Sequence, residues 1–239
     1  MRTAICWSGQ PREVGETLES FLACLYRRLP DPDVFIYTSQ SFPEKVISTL
    51  RPKVYLVEPQ QVFEGPEKVL ERVGFFLERP HPHFNDFLQM IYGYKRVGEL
   101  KRQYEASHKV SYDLVIRCRP DLLYMRPFSA EWFDPKALNI FREVKDFAMD
   151  FVGGSGPHMD QFMAFFDWLG GPGQEFLQRD RRRATMPGQT YAGDKIAQAY
   201  LFDFLGLECR PLVATSTAES DHYRIMRLHK KGLYPPFKP

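Results

Sequence analysis

The sequence has no dominant sign of charge: 32 lysines and arginines stand against 30 aspartates and glutamates, a formal net charge of +2. That balance gives no global electrostatic reason to bind nucleic acid or an anionic membrane, so any anion site has to be local. Cysteine is scarce. Cys6, Cys24, Cys118 and Cys209 are scattered without C-x-x-C spacing, and two of them, Cys6 and Cys118, fall inside strand-like apolar runs. This argues against a disulfide framework or structural zinc and suits a reducing compartment. No apolar run approaches the roughly 20 residues of a membrane-spanning helix. Met1 leads almost at once into "TAICW", with no room for a charged and apolar leader. The expectation is a soluble, cytoplasmic protein. Neither G-x-G-x-x-G nor a P-loop occurs, and there is no internal repeat or low-complexity tract.

Apolar residues are plentiful. A hydrophobic content of 44% over 239 residues supports one large core, and an aromatic share of 15% suits either a packed interior or a stacking surface for sugars or bases. Thr3 to Trp7 reads as a strand ending in the turn "SGQPR". Val14, Leu18, Phe21, Leu22 and Leu25 then recur at helical spacing until "RRLP" stops them. "DVFIYTS" is a second strand, "PEKVISTLRP" a short helix and "KVYLVE" a third strand. This alternation predicts an α/β fold with a mainly parallel central sheet, helices on both faces, and a ligand site beyond the carboxyl ends of the strands.

Residues 59–83 are less regular. A long helix over about 85–109 carries Phe84, Phe87, Leu88, Ile91, Tyr92 and Leu100 on one face and delivers the chain to "YDLVIRCRPDLLYMRPF". Leu114, Val115 and Ile116 there are strand formers with no alternation, as in a strand covered on both faces. "ALNIFR" reads as a strand, "DFVGGSGPHMDQFMAFFDWLG" as a glycine-rich turn opening a helix, "TYAGDKIAQAYLFDFLG" as another helix and "LECRPLVA" as a late strand. An irregular basic tail follows. The expected organisation is one domain over 1–239, with a ligand-binding half at 1–125 and a second half, including the tail, at 126–239.

The charged group at the end of the central strand needs a reason. With a period of two, Arg117 and Arg119 share a side while Cys118 faces the other, and Pro120 ends pairing just before Asp121. One reading is an internal Arg–Asp ion pair that pins a loop. The other is a diphosphate site, with guanidinium groups on phosphate oxygens and a carboxylate holding a divalent cation. In "SGQPR", Gly9 would let the backbone approach a ligand and Arg12 stands near a helix start, although a tight turn explains both. Asp150 lies before Gly153 and Ser155, and Asp160 lies in the first turn of a helix. Either carboxylate could take a proton from a hydroxyl, or serve as a loop or helix-start aspartate. Asp194 could simply cap a helix. Arg179 to Arg183, apart from Asp180, reads as a solvated charge run that could also hold a phosphorylated or lipid-diphosphate acceptor. His222 and His229 read as surface residues with a metal-ligand alternative.

Together "SGQPR", "YDLVIRCRPDL" and "DFVGGSGPHMDQF", within residues 1–40, 84–128 and 146–165, resemble bacterial and viral nucleotide-sugar glycosyltransferases of the GT-A fold. The resemblance implies a hexosyltransferase-type enzyme of polysaccharide biosynthesis, with a sugar-nucleotide donor and a glycan, lipid-linked or protein acceptor. It implies no nucleic-acid partner and no transmembrane segment, with the basic tail suited to peripheral membrane contact. On this reading Ser8, Gly9, Gln10 and Arg12 contact the nucleotide, and Arg117, Arg119 and Asp121 hold the diphosphate. Gly153 and Ser155 face the donor sugar, Asp150 is the catalytic carboxylate, and Asp160 and Asp194 lie on the acceptor side. The fold's Asp-x-Asp motif implies Mn²⁺ or Mg²⁺ on Asp121, yet Arg119 fills the first acidic position. Two rival readings are a non-catalytic sugar-nucleotide or carbohydrate-binding module and a metal-dependent phosphohydrolase built on Asp121, Asp150 and Asp160. The second would want clustered carboxylates with few arginines between them.

Overall fold

Strand-forming runs and helical runs alternate along the chain as expected, and the resulting layers decide which residues meet. A computed structural model describes residues 1–63, 84–142, 147–179, 196–212 and 223–225. The first half contains β1 (Thr3–Ser8), α1 (Val14–Cys24), β2 (Asp33–Thr38), α2 (Glu44–Leu50), β3 (Val54–Val57), α3 (Phe84–His108), β4 (Leu114–Cys118) and β5 (Leu122–Tyr124). The second half contains β6 (Leu138–Arg142), β7 (Phe147–Gly154), α4 (Gly156–Met163), α5 (Phe165–Gly170), α6 (Pro172–Arg179), β8 (Cys209–Pro211) and β9 (Tyr223–Ile225).

Seven of the described strands form one sheet in the order β3-β2-β1-β4-β7-β6-β8. The pairs β3–β2, β2–β1, β1–β4 and β6–β8 are parallel, whereas β7 runs antiparallel to both β4 and β6. The sheet is therefore mixed and mostly parallel. β5 and β9 pair separately as an antiparallel ribbon, so part of the tail expected to be irregular is a strand.

The alternation of side chains across the sheet divides the core in two. Ala4, Cys6, Phe35, Tyr37, Val115 and Val152 pack under α3, α4 and α5. Ile5, Trp7, Val34, Ile36, Ile116, Cys118 and Phe151 pack against α1 and α2. Both faces are covered, which is why β1, β2 and β4 read as unbroken buried runs.

The glycine-rich segment departs from expectation. Asp150 to Gly154 is strand rather than turn, because its glycines admit neighbours that a side chain would exclude. A Cβ on Gly153 would come within 2.3 Å of the Phe133 ring, and one on Gly154 within 3.1 Å of the Ala137 carbonyl oxygen. The last expected helix also differs, adopting a π-helical turn over Ala199–Phe204. No helix among the described residues is long and apolar enough to cross a membrane.

Candidate functional site

At the carboxyl end of the parallel strands, β1 and β4 lie side by side, with Trp7 opposite Cys118. The chain leaves β1 through Ser8 and turns at Gly9, whose φ of 135° suits glycine. Gly9 is exposed; its amide donates to the Tyr37 carbonyl, and a Cβ there would stand 3.6 Å from Pro120 Cδ. The β1 turn and the Arg119–Asp121 loop are thus immediate neighbours. Gln10 is half-buried and Arg12 is exposed at the approach to α1.

Arg117 and Arg119 reach different places, although only Cys118 separates them. Arg117 is buried, only 1% exposed, on the α3 face of the sheet. Its Nε donates to Ser8 Oγ at 3.2 Å, Nη2 to the Ser8 carbonyl at 3.3 Å, and Nη1 to the Met149 carbonyl at 2.5 Å. The guanidinium lies over the Tyr94 ring, 3.9 Å from its centroid. These partners are neutral oxygens and a ring face, which can hold a buried cation but leave it under the site. Expected to grip a ligand directly, Arg117 here braces the β1 and β7 ends from below.

Arg119 instead reaches the surface at the carboxyl end of the sheet. Its side chain is 23% exposed, whereas that of Asp121 is only 3% exposed. Nε and Nη2 donate to Asp121 Oδ1 and Oδ2 at 2.8 and 2.7 Å, a bidentate fork. Nη1 donates to Asp150 Oδ1 at 3.1 Å, and the Arg119 amide donates to the Asp150 carbonyl at 3.2 Å. Burial alone would lower the pKa of Arg119, but the charges of Asp150 and Asp121 and their hydrogen bonds hold it above its ordinary value. One guanidinium thus joins the carboxylate after β4 to a carboxylate of β7. The ion-pair reading of Arg119 and Asp121 is realised here, at the end of the sheet where a ligand is expected.

Several supports had no distinct sequence signal. Thr17 Oγ1 donates to the Pro120 carbonyl at 2.8 Å and ties α1 to the loop. Tyr94 of α3, which the apolar face read from the sequence did not include, underlies Arg117. Gly93 in α3 faces Ser8, and a Cβ there would be 3.4 Å from Ser8 Cβ. A glycine in the middle of a 25-residue helix was the available clue, since helix interiors disfavour it without a packing reason. Farther along the same rim, Arg96 of α3 pairs with Glu58 after β3 at 2.6 Å and also with Glu99.

Three expected site residues stand elsewhere. β7 is antiparallel to β4, so Gly153 lies opposite Ile116 and Gly154 opposite Val115. The chain therefore descends from Asp150 towards the amino end of β4, and Gly154 is three residues, roughly 10 Å, below the level of Cys118. Gly153 packs on Phe133, and Ser155 bonds His158 at the start of α4. Neither lies at the carboxyl end of β4 with Arg119. Asp160 pairs with Lys101 at 3.1 Å, a lysine buried completely in the second half of α3 and also held by Glu105 at 2.8 Å. Its role here is to neutralise a buried cation. Asp194, Arg181 to Arg183, His222 and His229 lie outside the described residues, while Arg179 is exposed and pairs with Glu175.

The donor set does not fit the Mn²⁺ or Mg²⁺ expected on Asp121. Hard divalent cations need carboxylate oxygens at roughly 2.0–2.6 Å, and both Asp121 oxygens already accept from Arg119. Among the described residues, no group of three or more His, Cys, Asp or Glu side chains could hold an ion.

No protein-family model matches the chain, and the curated proteins contain no match to it. Solved structures do resemble it in shape. Apo xyloside xylosyltransferase 1 from mouse aligns over 88% of this chain and 84% of its own, with a TM-score of 0.49 and 11% identity. The apo form of the glycosyltransferase GlyE from Streptococcus pneumoniae TIGR4 aligns over 87% of this chain, with a TM-score of 0.39 and 12% identity. This chain spans 44% of that second structure.

Proposed function

We propose that the protein is a glycosyltransferase that moves a sugar from a nucleotide-diphosphate donor to a glycan, lipid-linked or protein acceptor. The observation that carries this reading is Arg119, fixed across Asp121 and Asp150 beside the exposed Gly9 turn at the carboxyl end of the parallel strands. The nucleotide lies along Gly9 to Arg12, with Gly9 giving its backbone close approach, while Ser8 is buried beneath the turn on Arg117. The diphosphate meets Arg119, whose charge stabilises it as the leaving group when the bond from the anomeric carbon breaks.

Asp150 is the group placed to receive the acceptor proton. Its Oδ1 accepts from Arg119, and its side chain is 19% exposed, so the carboxylate is both oriented and reachable from solvent. The acceptor oxygen bonds to the anomeric carbon, the diphosphate leaves with the electron pair, and the hydroxyl proton passes to Asp150. The deciding experiment is thermal denaturation with nucleoside diphosphates and the matching monophosphates. A diphosphate at a hundredfold excess over Kd should stabilise by about 2.7 kcal/mol. The monophosphate should do much less, and equal shifts from both would remove the diphosphate assignment.

A second reading, a binding module without turnover, draws on the same ion pair, since an Arg119 held by two carboxylates also suits a static site. Donor hydrolysis above the uncatalysed rate, lost in Asp150→Asn, separates the two.

A further inference from the structure

We infer that Arg119 is a resident cation that takes the place of a divalent ion, so the site binds a nucleoside diphosphate without metal. The inference rests on the sugar-nucleotide reading of the site but turns on features of the ion pair itself. A guanidinium carries five N–H groups. Three are used, one on each oxygen of Asp121 and one on Asp150 Oδ1, and no other hydrogen bond engages the group among the described residues. Two N–H groups, one on Nη1 and one on Nη2, remain for an incoming oxygen. They belong to a side chain that keeps 23% exposure while its partner Asp121 is almost wholly enclosed.

Charge count points the same way. Arg117 lies directly beneath, buried, and its hydrogen bonds go to neutral oxygens. Arg117 and Arg119 together therefore balance Asp121 and Asp150. A divalent ion on Asp121 would have to displace the Arg119 fork and would leave two arginines and a dication around two carboxylates. The carboxylates that a metal would use are spent in aiming a guanidinium, whose planar fork matches phosphate oxygens. Asp121 is on this view a positioning residue: it holds Arg119 and does not touch the ligand.

The test combines manganese binding with nucleotide binding. Mn²⁺ is titrated into the protein and followed by electron paramagnetic resonance. Separately, the melting temperature is measured with uridine, guanosine, cytidine and adenosine diphosphates, in EDTA and in Mn²⁺. The wild type should leave the free Mn²⁺ signal undiminished and give the same nucleotide shift in both buffers. Arg119→Asp, which restores an acidic pair, should take up Mn²⁺ and make the shift depend on it. Uptake of Mn²⁺ by the wild type that Asp121→Asn abolishes overturns the inference, as does a nucleotide shift that disappears in EDTA. If no diphosphate shifts the melting temperature in either buffer, the sugar-nucleotide reading fails and the diphosphate half of the inference fails with it; the manganese titration still decides whether Asp121 holds a metal. If Arg119→Asp does not fold, Arg119→Gln, which keeps a neutral donor, should lose most of the EDTA-insensitive shift, and retention of the full shift overturns the proposal.

Discussion

The two ends of the sheet both carry charge, but they are organised differently. At the amino end, Asp33 starts β2 and accepts from the Tyr112 hydroxyl at 2.7 Å, with Lys53 at 3.2 Å and Arg2 at 3.3 Å. Two solvated cations and a phenol surround one carboxylate there. The Tyr112 hydroxyl is held well above its ordinary pKa, first by burial and then by its bond to Asp33. At the carboxyl end the ratio is reversed, with one guanidinium serving two carboxylates and keeping donors in hand. The amino-end cluster surrounds one carboxylate with several donors, whereas the carboxyl-end guanidinium keeps two N–H groups uncommitted among the described residues. The backbone agrees: at the top a glycine turn lies open, while at the bottom the glycines are filled by Phe133 and the Tyr112 carbonyl.

The sharpest way to break the comparison is to remove the carboxylates. Asp121→Ala strips the fork from a partly buried arginine and should cost about 3 kcal/mol, read as a fall in the urea midpoint. It should also abolish the nucleoside-diphosphate shift. Asp33→Asn should lower stability less, because Arg2 and Lys53 stay hydrated, and should leave that shift intact. If both variants bind nucleotide equally badly, the two ends do not differ in the way described.

Next in size is overpacking. Gly153→Ala pushes a methyl group into Phe133 and should cost roughly 1–3 kcal/mol, with normal nucleotide affinity in whatever remains folded. Gly9→Ala should cost about 1 kcal/mol through its backbone conformation, yet weaken nucleotide binding measured by calorimetry. The reverse assignment of these two effects would place the donor along β7, as its glycine-rich sequence suggested.

A smaller effect is expected from Arg119→Lys, which keeps the charge and loses the fork. Nucleotide affinity should drop about tenfold, equivalent to about 1.4 kcal/mol. Smallest is the alkaline limb of stability. Burial pushes the Cys118 thiol up to about 11 and the Cys6 thiol up to about 12. Because the folded values exceed the unfolded ones, the thiols stabilise the fold fully below the unfolded value and lose that contribution as pH rises towards 11–12. Native protein at pH 8 should therefore take up iodoacetamide at neither Cys6 nor Cys118, as peptide mass analysis would show.

The sequence by itself determined the alternation of strands and helices, the two-sided cover of β4, and the location of charge just past β4. Those follow from periodicity and from apolar runs, which are local properties. It also placed Arg119 and Asp121 two residues apart, close enough for either an ion pair or a shared ligand. Only the tertiary structure decided that Arg117 and Arg119 part ways. Arg117 falls on the α3 face of β4 opposite Cys6, whereas Arg119 comes after the last paired residue and is free to turn towards Asp121. Only the tertiary structure, too, showed that β7 runs antiparallel, bringing Asp150 up to Arg119 while carrying Gly153, Ser155 and Asp160 away. Strand direction depends on which neighbour a segment pairs with, and nothing within "DFVGGSG" encodes it. The glycines looked like a ligand turn because local sequence shows that room exists, while the packing of Phe133 decides what fills it.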